Sequence, residues 1–402
     1  MVLGTITAFS ETQHAGHILL DDGTGVQFST TAVNGLAPAI GKRVRVTGVV
    51  PYGPGVLRAV AVEPADAAAA EPAQYMDWSD VEVEPLSTGQ RSAFETRLAD
   101  GEARWHRQEA LDAEARRKAE QARLARAGQE PAKVWGPVLR AAGVPNRVVR
   151  DVLASGRATA GMCLAEGPRS SISSRHGGLP DVPRTFCWPR FEDRPLAFVF
   201  QLRICEVPLL VRRDLLLPPD GVLSFFFDAV TQPCGLEPAH RGGARVFLFA
   251  DVDRLVRAAV PEDLDDDVFE ERNVDFLEEF ALPSPGSPAG AVLALSAGVA
   301  AAYASALEAE CGMRGALAKV GGYADEVQGA MEIECAGVTH GLSFADGTPV
   351  LSREIRAEAS RWRLLLQVDS MEWVSGTLYY WIREDHLLAN AFDHTWCIAQ
   401  CS

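Results

Sequence analysis

The sequence predicts a mainly β fold with helices, of the α+β class: a small five-stranded barrel of the OB type, a helical linker and a two-halved β-rich body. Three observations predict it. Short alternating strands separated by turn residues fill residues 1–64. A proline-free stretch rich in both charges runs from Gln90 to Arg126. Beyond residue 170 one pattern occurs twice: a Gly pair, an apolar strand with a Gln near its end, and a Gly-x-Leu strand rich in aromatics.

In residues 1–64 the strands are Val2 to Phe9, Gly16 to Leu20, Val26 to Ser29, Lys42 to Val50 and Leu57 to Val62. Asp22-Gly23 and the segment Pro51 to Gly55 supply turns. Val44 and Val46 alternate with basic Arg43 and Arg45, so Lys42, Arg43 and Arg45 are the candidate nucleic-acid contacts. Gly4 to Phe9, Gly16-His17-Ile18 and Val26-Gln27-Phe28-Ser29 resemble the opening strand and the two RNA-binding motifs of cold-shock domains. Where that family places stacking aromatics, this chain carries Ala8, Ala15, His17 and Gln27, and Ser29 stands in place of a His. Stacking on aromatics supplies about 1–3 kcal/mol per base, so most of the platform is missing. The barrel reads as a structural or docking module, with weak nucleic-acid contact as the alternative.

Residues 65–158 read as a linker, a long charged helix and short helices. A continuous helix from Gln90 to Arg126 would span roughly 55 Å at about 1.5 Å per residue. Its apolar positions (Phe94, Leu98, Trp105, Leu111, Leu124) are too sparse for a coiled coil, which leaves a solvated spacer. Pro137 to Ala142 and Asn146 to Leu153 form a second helical group, broken by Gly143 and Pro145.

The body spans residues 159–402. Its first half carries Gly177-Gly178, the strand Leu196 to Gln201 and Gly221 to Phe227; its second carries Gly321-Gly322, Leu364 to Asp369 and Gly376 to Ile382. Together with Trp188-Pro189 and Phe392 to Gln400, these motifs closely resemble the YwqG-like family, a bacterial domain of unknown function, over about residues 165–401. Ala324 departs from the Pro that the family commonly has there. The resemblance implies a mainly β fold with internal similarity between halves. It carries over no catalytic residue. Some relatives are encoded beside secreted toxins and are suspected immunity proteins, which makes a toxin-like partner an implication of the resemblance.

The residues themselves suggest where to look for binding. Simple alternation puts Gln201 on the face of Ala197 and Val199, and Gln367 on the face of Leu365 and Asp369. A buried amide without partners costs about 1–3 kcal/mol, so both must be hydrogen-bonded. Either they tie backbone across the halves, or Gln201, Gln367 and Asp369 face one cleft walled by Trp188 and Tyr380. Residues 262–279 hold ten carboxylates against Arg272 alone, and Asp265, Asp266, Asp267, Glu270 and Glu271 are the candidate surface for a basic protein.

The net charge of -16 opposes non-specific binding to nucleic acid or anionic lipid and favours a basic partner. None of the eight cysteines forms a C-x-x-C pair and no secretory signal is evident, which fits free thiols in the cytoplasm. Cys187 reads as a small packed hydrophobe. Ala291 to Leu307, the most apolar stretch, is too short and weakly apolar to span a membrane and reads as a buried helix. There is no P-loop, G-x-G-x-x-G fingerprint or G-x-S-x-G elbow, so no catalytic residue, metal site or cofactor is assigned. The expectation is a non-enzymatic cytoplasmic binding protein, of an immunity type, with a protein partner. The alternatives are a nucleic-acid-associated protein acting through the barrel and an enzyme using the cleft between the halves.

Overall fold

The computed structural model describes residues 2–10, 15–21, 25–29, 42–51 and 57–64, isolated positions 111, 114, 117, 118, 167 and 169, and residues 121–165, 172–264, 268–314, 318–369 and 376–400. The chain forms two compact units, Met1–Arg117 and Lys118–Ser402. The fold is mixed α and β and mainly β, as the sequence predicts.

In the first unit, strands β1 (Val2–Ser10), β2 (Ala15–Leu20), β3 (Gly25–Ser29), β4 (Arg43–Pro51) and β5 (Leu57–Pro64) close into a barrel in the order β1-β2-β3-β5-β4. Alternation drives it: Ile6, Ile18, Leu20, Val26, Phe28, Val44, Val46 and Val62 point inward and are buried. Gly4 is required where β1 crosses β2, because a Cβ there would lie 2.7 Å from Ile18 Cγ2 and 2.8 Å from the Leu19 carbonyl. The linker and most of the expected long helix lie outside the described residues. Its C-terminal turn, residues 121–126, is helical and belongs to the second unit.

The second unit is built on one ten-stranded sheet in the order β13-β12-β11-β7-β15-β6-β16-β17-β18-β19. Its strands are β6 (Arg157–Leu164), β7 (Arg175–His176), β11 (Ala197–Arg203), β12 (Val222–Phe227), β13 (Ala244–Phe249), β15 (Arg272–Ala281), β16 (Lys319–Val320), β17 (Trp362–Asp369), β18 (Thr377–Arg383) and β19 (Trp396–Gln400). Two small sheets, β9 (Arg190–Phe191) with β10 (Arg194–Pro195) and β8 (Asp181–Pro183) with β14 (Leu255–Arg257), flank the first half.

The order is palindromic in the repeat. β7, β11, β12 and β13 match β16, β17, β18 and β19, while the β15-β6 pair sits at the centre. Each half also lends a strand to the other: β6, which precedes the first Gly pair, hydrogen-bonds to β16, whereas β15 bonds to β7. This exchange makes the halves one cooperative sheet rather than two modules.

The sheet folds over its own core. Leu223, Phe225 and Phe227 of β12 meet Leu378, Tyr380 and Ile382 of β18 in one buried cluster. Phe225 and Tyr380, at matching positions of the two Gly-x-Leu strands, pack edge-to-face with centroids 5.1 Å apart. The pseudo-two-fold relation therefore places equivalent aromatics against each other at the middle of the core.

The outer faces are covered differently. In the second half the helices Glu332–Thr339 and Arg353–Ala359 cover Trp362, Leu364, Tyr379 and Trp381. In the first half Phe186, Trp188 and Phe191 cover Phe198 and Phe226. Helices Pro131–Ala141, Asn146–Ala154 and Ala297–Arg314 form a further cluster around Trp135, Val152 and Tyr303.

The apolar stretch Ala291 to Leu307 departs from expectation. Its helix begins at Ala297, and Tyr303 and Ala306 face inward while Val292 is 83% exposed. Ala, Gly and Ser contribute too little apolar area to bury a helix on all sides. Cys187, expected to be packed, is exposed. No helix among the described residues is long and apolar enough to cross a membrane.

Candidate functional site: twin buried clasps and an arginine-lined cleft

The two Gly pairs are the corners of matching constructions. Gly177, Gly178, Gly321 and Gly322 have φ between +63° and +73°, the left-handed region that favours glycine. A Cβ on Gly177 would lie 2.3 Å from the Glu270 carbonyl, and one on Gly322 would meet Thr159 at 2.7 Å. In each half a cation stands two residues before the pair and an aspartate three after it: Arg175 and Asp181, Lys319 and Asp325.

The chain turns at the glycines so that the aspartate returns to its cation. Arg175 Nη2 lies 2.6 Å from Asp181 Oδ2, and Lys319 Nζ lies 2.7 Å from Asp325 Oδ2. The Gln from the neighbouring strand completes each clasp. Gln201 pairs in register with Arg175, and Gln367 with Lys319. Gln201 Oε1 accepts from the Asp181 N–H at 2.7 Å and from Arg175 Nη2 at 3.1 Å. Its Nε2 donates to Asp181 Oδ2 and to the Ser173 carbonyl. Gln367 repeats the pattern: Oε1 accepts from the Asp325 N–H at 3.0 Å and Nε2 donates to Asp325 Oδ2.

The clasps differ at their rims. Asp181 also accepts from Arg257 Nε at 3.1 Å, and Arg257 pairs in turn with Glu271. Burial opposes charge on Asp181, but the Gln201 amide and the guanidinium groups of Arg175 and Arg257 outweigh it and hold its carboxyl below the usual range. In the second clasp Asp325 is more open, and the Tyr379 hydroxyl donates to its carbonyl at 2.6 Å.

These facts relocate the candidate residues. A β-bulge shifts the register between Phe198 and Phe200, and another shifts it between Leu364 and Leu366. Each bulge points two successive residues, Val199-Phe200 and Leu365-Leu366, into the core. Gln201 and Gln367 therefore fall on the outer faces with Phe198 and Leu364, opposite to what simple alternation predicts. Each Gln closes its own half and does not bridge the two.

The structure also does not bring Trp188, Gln201, Gln367, Asp369 and Tyr380 into one cleft. Trp188 lies on the outer face against Phe226, its Nε1 donating to the Leu196 carbonyl at 2.8 Å. Tyr380 lies in the inner core, with its hydroxyl donating to the Phe226 carbonyl at 3.3 Å. Asp369 ends β17, opposite Thr377.

Among the acidic candidates, Glu271 is engaged by Arg257, and Glu270 accepts from Arg272 at 2.7 and 3.1 Å. Asp265, Asp266 and Asp267 lie outside the described residues. On the barrel, Arg43 makes a two-pronged pair with Asp21 at 2.5 and 2.8 Å, so its charge is locally met. Lys42 and Arg45 are half-buried. Burial lowers the Lys42 pKa.

Sequence reasoning missed four clasp members, Arg175, Asp181, Lys319 and Asp325. It also missed Gln400, whose Oε1 accepts from the Val327 and Gln328 N–H groups at 2.9 Å. The signal for the first four was present as the constant spacing of cation, Gly pair and aspartate.

A second polar feature lies where the two ends of the sheet approach. Here the segment Pro233 to Arg245 passes beside Asp393 to Cys397, and the Cys234 carbonyl accepts from the Ala399 N–H at 3.1 Å. Gly235 must be glycine, because φ is +81° and a Cβ would lie 2.0 Å from the Cys397 carbonyl. The cleft so formed is lined by His240, Arg241, Arg245, Asp393 and Trp396.

The helix Glu332–Thr339 carries a third feature. Burial, with Glu326 and Glu334 nearby, pushes Glu332 up to about 7, and its buried Oε2 has no hydrogen-bond partner among the described residues. A carboxyl raised in the folded state favours folding only when protonated. Its penalty is absent below the ordinary carboxyl range and complete above about 7. Glu332→Gln is expected to stabilise the body by about 1–3 kcal/mol at pH 8 and to change little at pH 4, measured by urea unfolding at both pH values.

A family model, described as a domain of unknown function (DUF1963), matches residues 174–401. The chain belongs to the DUF1963 family. Among curated proteins none matches the chain. The DUF1963 match begins at the first clasp and takes in both halves, yet it leaves out β6, the strand that completes the centre of the sheet. The DUF1963 body of this chain thus includes residues upstream of the match. Arg123 joins them, bonding the Met162 carbonyl at 2.9 Å and pairing with Glu279.

Proposed function

We propose that this chain is a non-enzymatic, cytoplasmic binding protein of the YwqG-like kind, whose body takes a basic protein partner in the manner of an immunity protein. The observation that carries this reading is the inward pairing of both clasps. The polar side chains that the repeat places on otherwise apolar strands are engaged in holding those strands together, so the repeat reads as a scaffold. The charge of -16 favours a basic partner.

Because Glu270 and Glu271 already have arginine partners, Asp265 to Asp267 are the carboxylates to test. A basic protein is expected to co-purify with the full chain at low salt and to be lost when Asp265, Asp266 and Asp267 become Ser. Co-purification unchanged by that substitution would remove the acidic segment as the contact. The OB-type barrel is proposed as a docking or structural element. A gel shift with single-stranded RNA is expected to show no complex at low salt; a salt-dependent complex would favour the nucleic-acid reading instead.

A further inference from the structure

We propose that the cleft between the ends of the sheet binds a phosphate group, free or as a monoester, through Arg241, Arg245 and His240. This goes beyond the protein-partner reading and does not depend on it.

Arg175, Arg190, Arg194, Arg203, Arg257 and Arg272 each have a carboxylate partner, whereas Arg184, Arg212 and Arg213 pair with no described carboxylate and do not line this cleft. Arg241 and Arg245 form no ion pair with any described residue, although they lie in one cleft of a chain with a net charge of -16. Two unmatched guanidinium groups that line one cleft, though exposed to solvent, both favour an anion held in it.

The local backbone sets this arrangement. Gly242 separates the two arginines with φ +98°, and a Cβ there would lie 3.3 Å from Arg245 Nη2. The positive φ is what favours glycine at this turn, beside which the Arg245 head lies. Arg241 lies over the Trp396 ring, 5.7 Å from its centroid. That contact places the Arg241 guanidinium beside the ring, where its N–H groups can reach an oxyanion in the cleft. Trp396 is itself fixed, with Nε1 donating to the Gly235 carbonyl at 2.8 Å.

His240 adds a third donor. Its Nδ1 accepts from the Gly235 N–H at 3.1 Å, which assigns the ring proton to Nε2. Guanidinium forks match the oxygens of phosphate or carboxylate in a two-pronged geometry. Asp393 selects between them. The Asp393 side chain is 74% exposed and lies 3.9 Å from His394 Nε2, so its repulsion of a carboxylate or sulfate, which carry no proton, is modest; a phosphate that retains a proton, as the free ion does at neutral pH and a monoester does below about pH 6, donates its O–H to that carboxylate. No covalent step is involved.

The test is titration of the full chain with inorganic phosphate, phenyl phosphate and sulfate, followed by calorimetry. Saturable phosphate binding with a Kd near or below about 1 mM is expected. Arg241→Gln and Arg245→Gln should each weaken it about tenfold or more, with the unfolding transition retained. Asp393→Asn should erase the preference for phosphate over sulfate. Tighter binding of phenyl phosphate than of inorganic phosphate would identify a monoester as the ligand, and the reverse would identify the free ion. Should either arginine variant unfold, Arg241→Lys and Arg245→Lys, which keep the charge without the fork, provide the same comparison. No saturable binding of either phosphate, or binding unchanged in the double Arg241→Gln/Arg245→Gln variant, would overturn the proposal.

Discussion

Replacing Asp181 with alanine is expected to destabilise the body by about 3–5 kcal/mol, a large share of a domain's usual stability. The magnitude follows from what is left behind. Arg175 is almost fully buried, cannot deprotonate, and would keep carbonyl and amide partners with only a long 3.8 Å approach to the Glu271 carboxylate, which Arg257 already engages. Gln201 would lose an acceptor, and Arg257 would lose its inner contact. Asp325→Ala removes the same member of the second clasp but is expected to cost less, about 1–3 kcal/mol. The Asp325 side chain is already 30% exposed, so water can take its place beside Lys319 when it is removed. Urea unfolding of both variants checks the order. The pH dependence has a definite sign. Asp181 is held below its ordinary range, so its contribution is present above that range and is lost as pH falls through its lowered folded-state value.

Tyr380→Ala is expected to cost about 3–5 kcal/mol, whereas Tyr380→Phe should cost no more than about 1 kcal/mol. Tyr380 is fully buried where the two aromatic strands meet, stacked edge-to-face on Phe225. Among the described residues its hydroxyl makes one hydrogen bond, at 3.3 Å to the Phe226 carbonyl, at the long end of the useful range. Ring packing therefore dominates the hydroxyl. Equal losses in the two variants, read by thermal unfolding, would show that the hydrogen bond and not the stacking joins the halves.

The doubled pattern was legible because it rests on residues with a single physical reason to be there. Positive φ requires the Gly pairs, and continuous apolar runs mark strands buried on both faces. The faces of Gln201 and Gln367 were not legible, since a bulge adds one residue without any mark in the apolar run around Val199 or Leu365. The clasp cations were obscured because Arg175 and Lys319 differ, and because His176 and Leu179 share nothing with Val320 and Tyr323 around the glycines. Nor could the strand exchange be read. β6 and β15 occupy equivalent places in the sheet, but their sequences, Arg157–Leu164 and Arg272–Ala281, have no common pattern. Pairing partners far apart in the chain are set by the closed arrangement as a whole. The arginine cleft escaped for the same reason, as Arg241 and Trp396 meet only when the ends of the sheet come together.

The central claim is that each half is closed by its own buried clasp, and a double-mutant cycle on Arg175 and Asp181 tests it most directly. Unfolding free energies would be measured for Arg175→Met, Asp181→Leu and the double variant, with phosphate absent. The clasp predicts two damaging single changes and a double variant much less damaged than their sum, with a coupling of about 2–3 kcal/mol, because the second change removes the charge that the first orphaned. Additive losses would contradict it: the two residues would then be packing independently, and the repeat would not be held by paired charge.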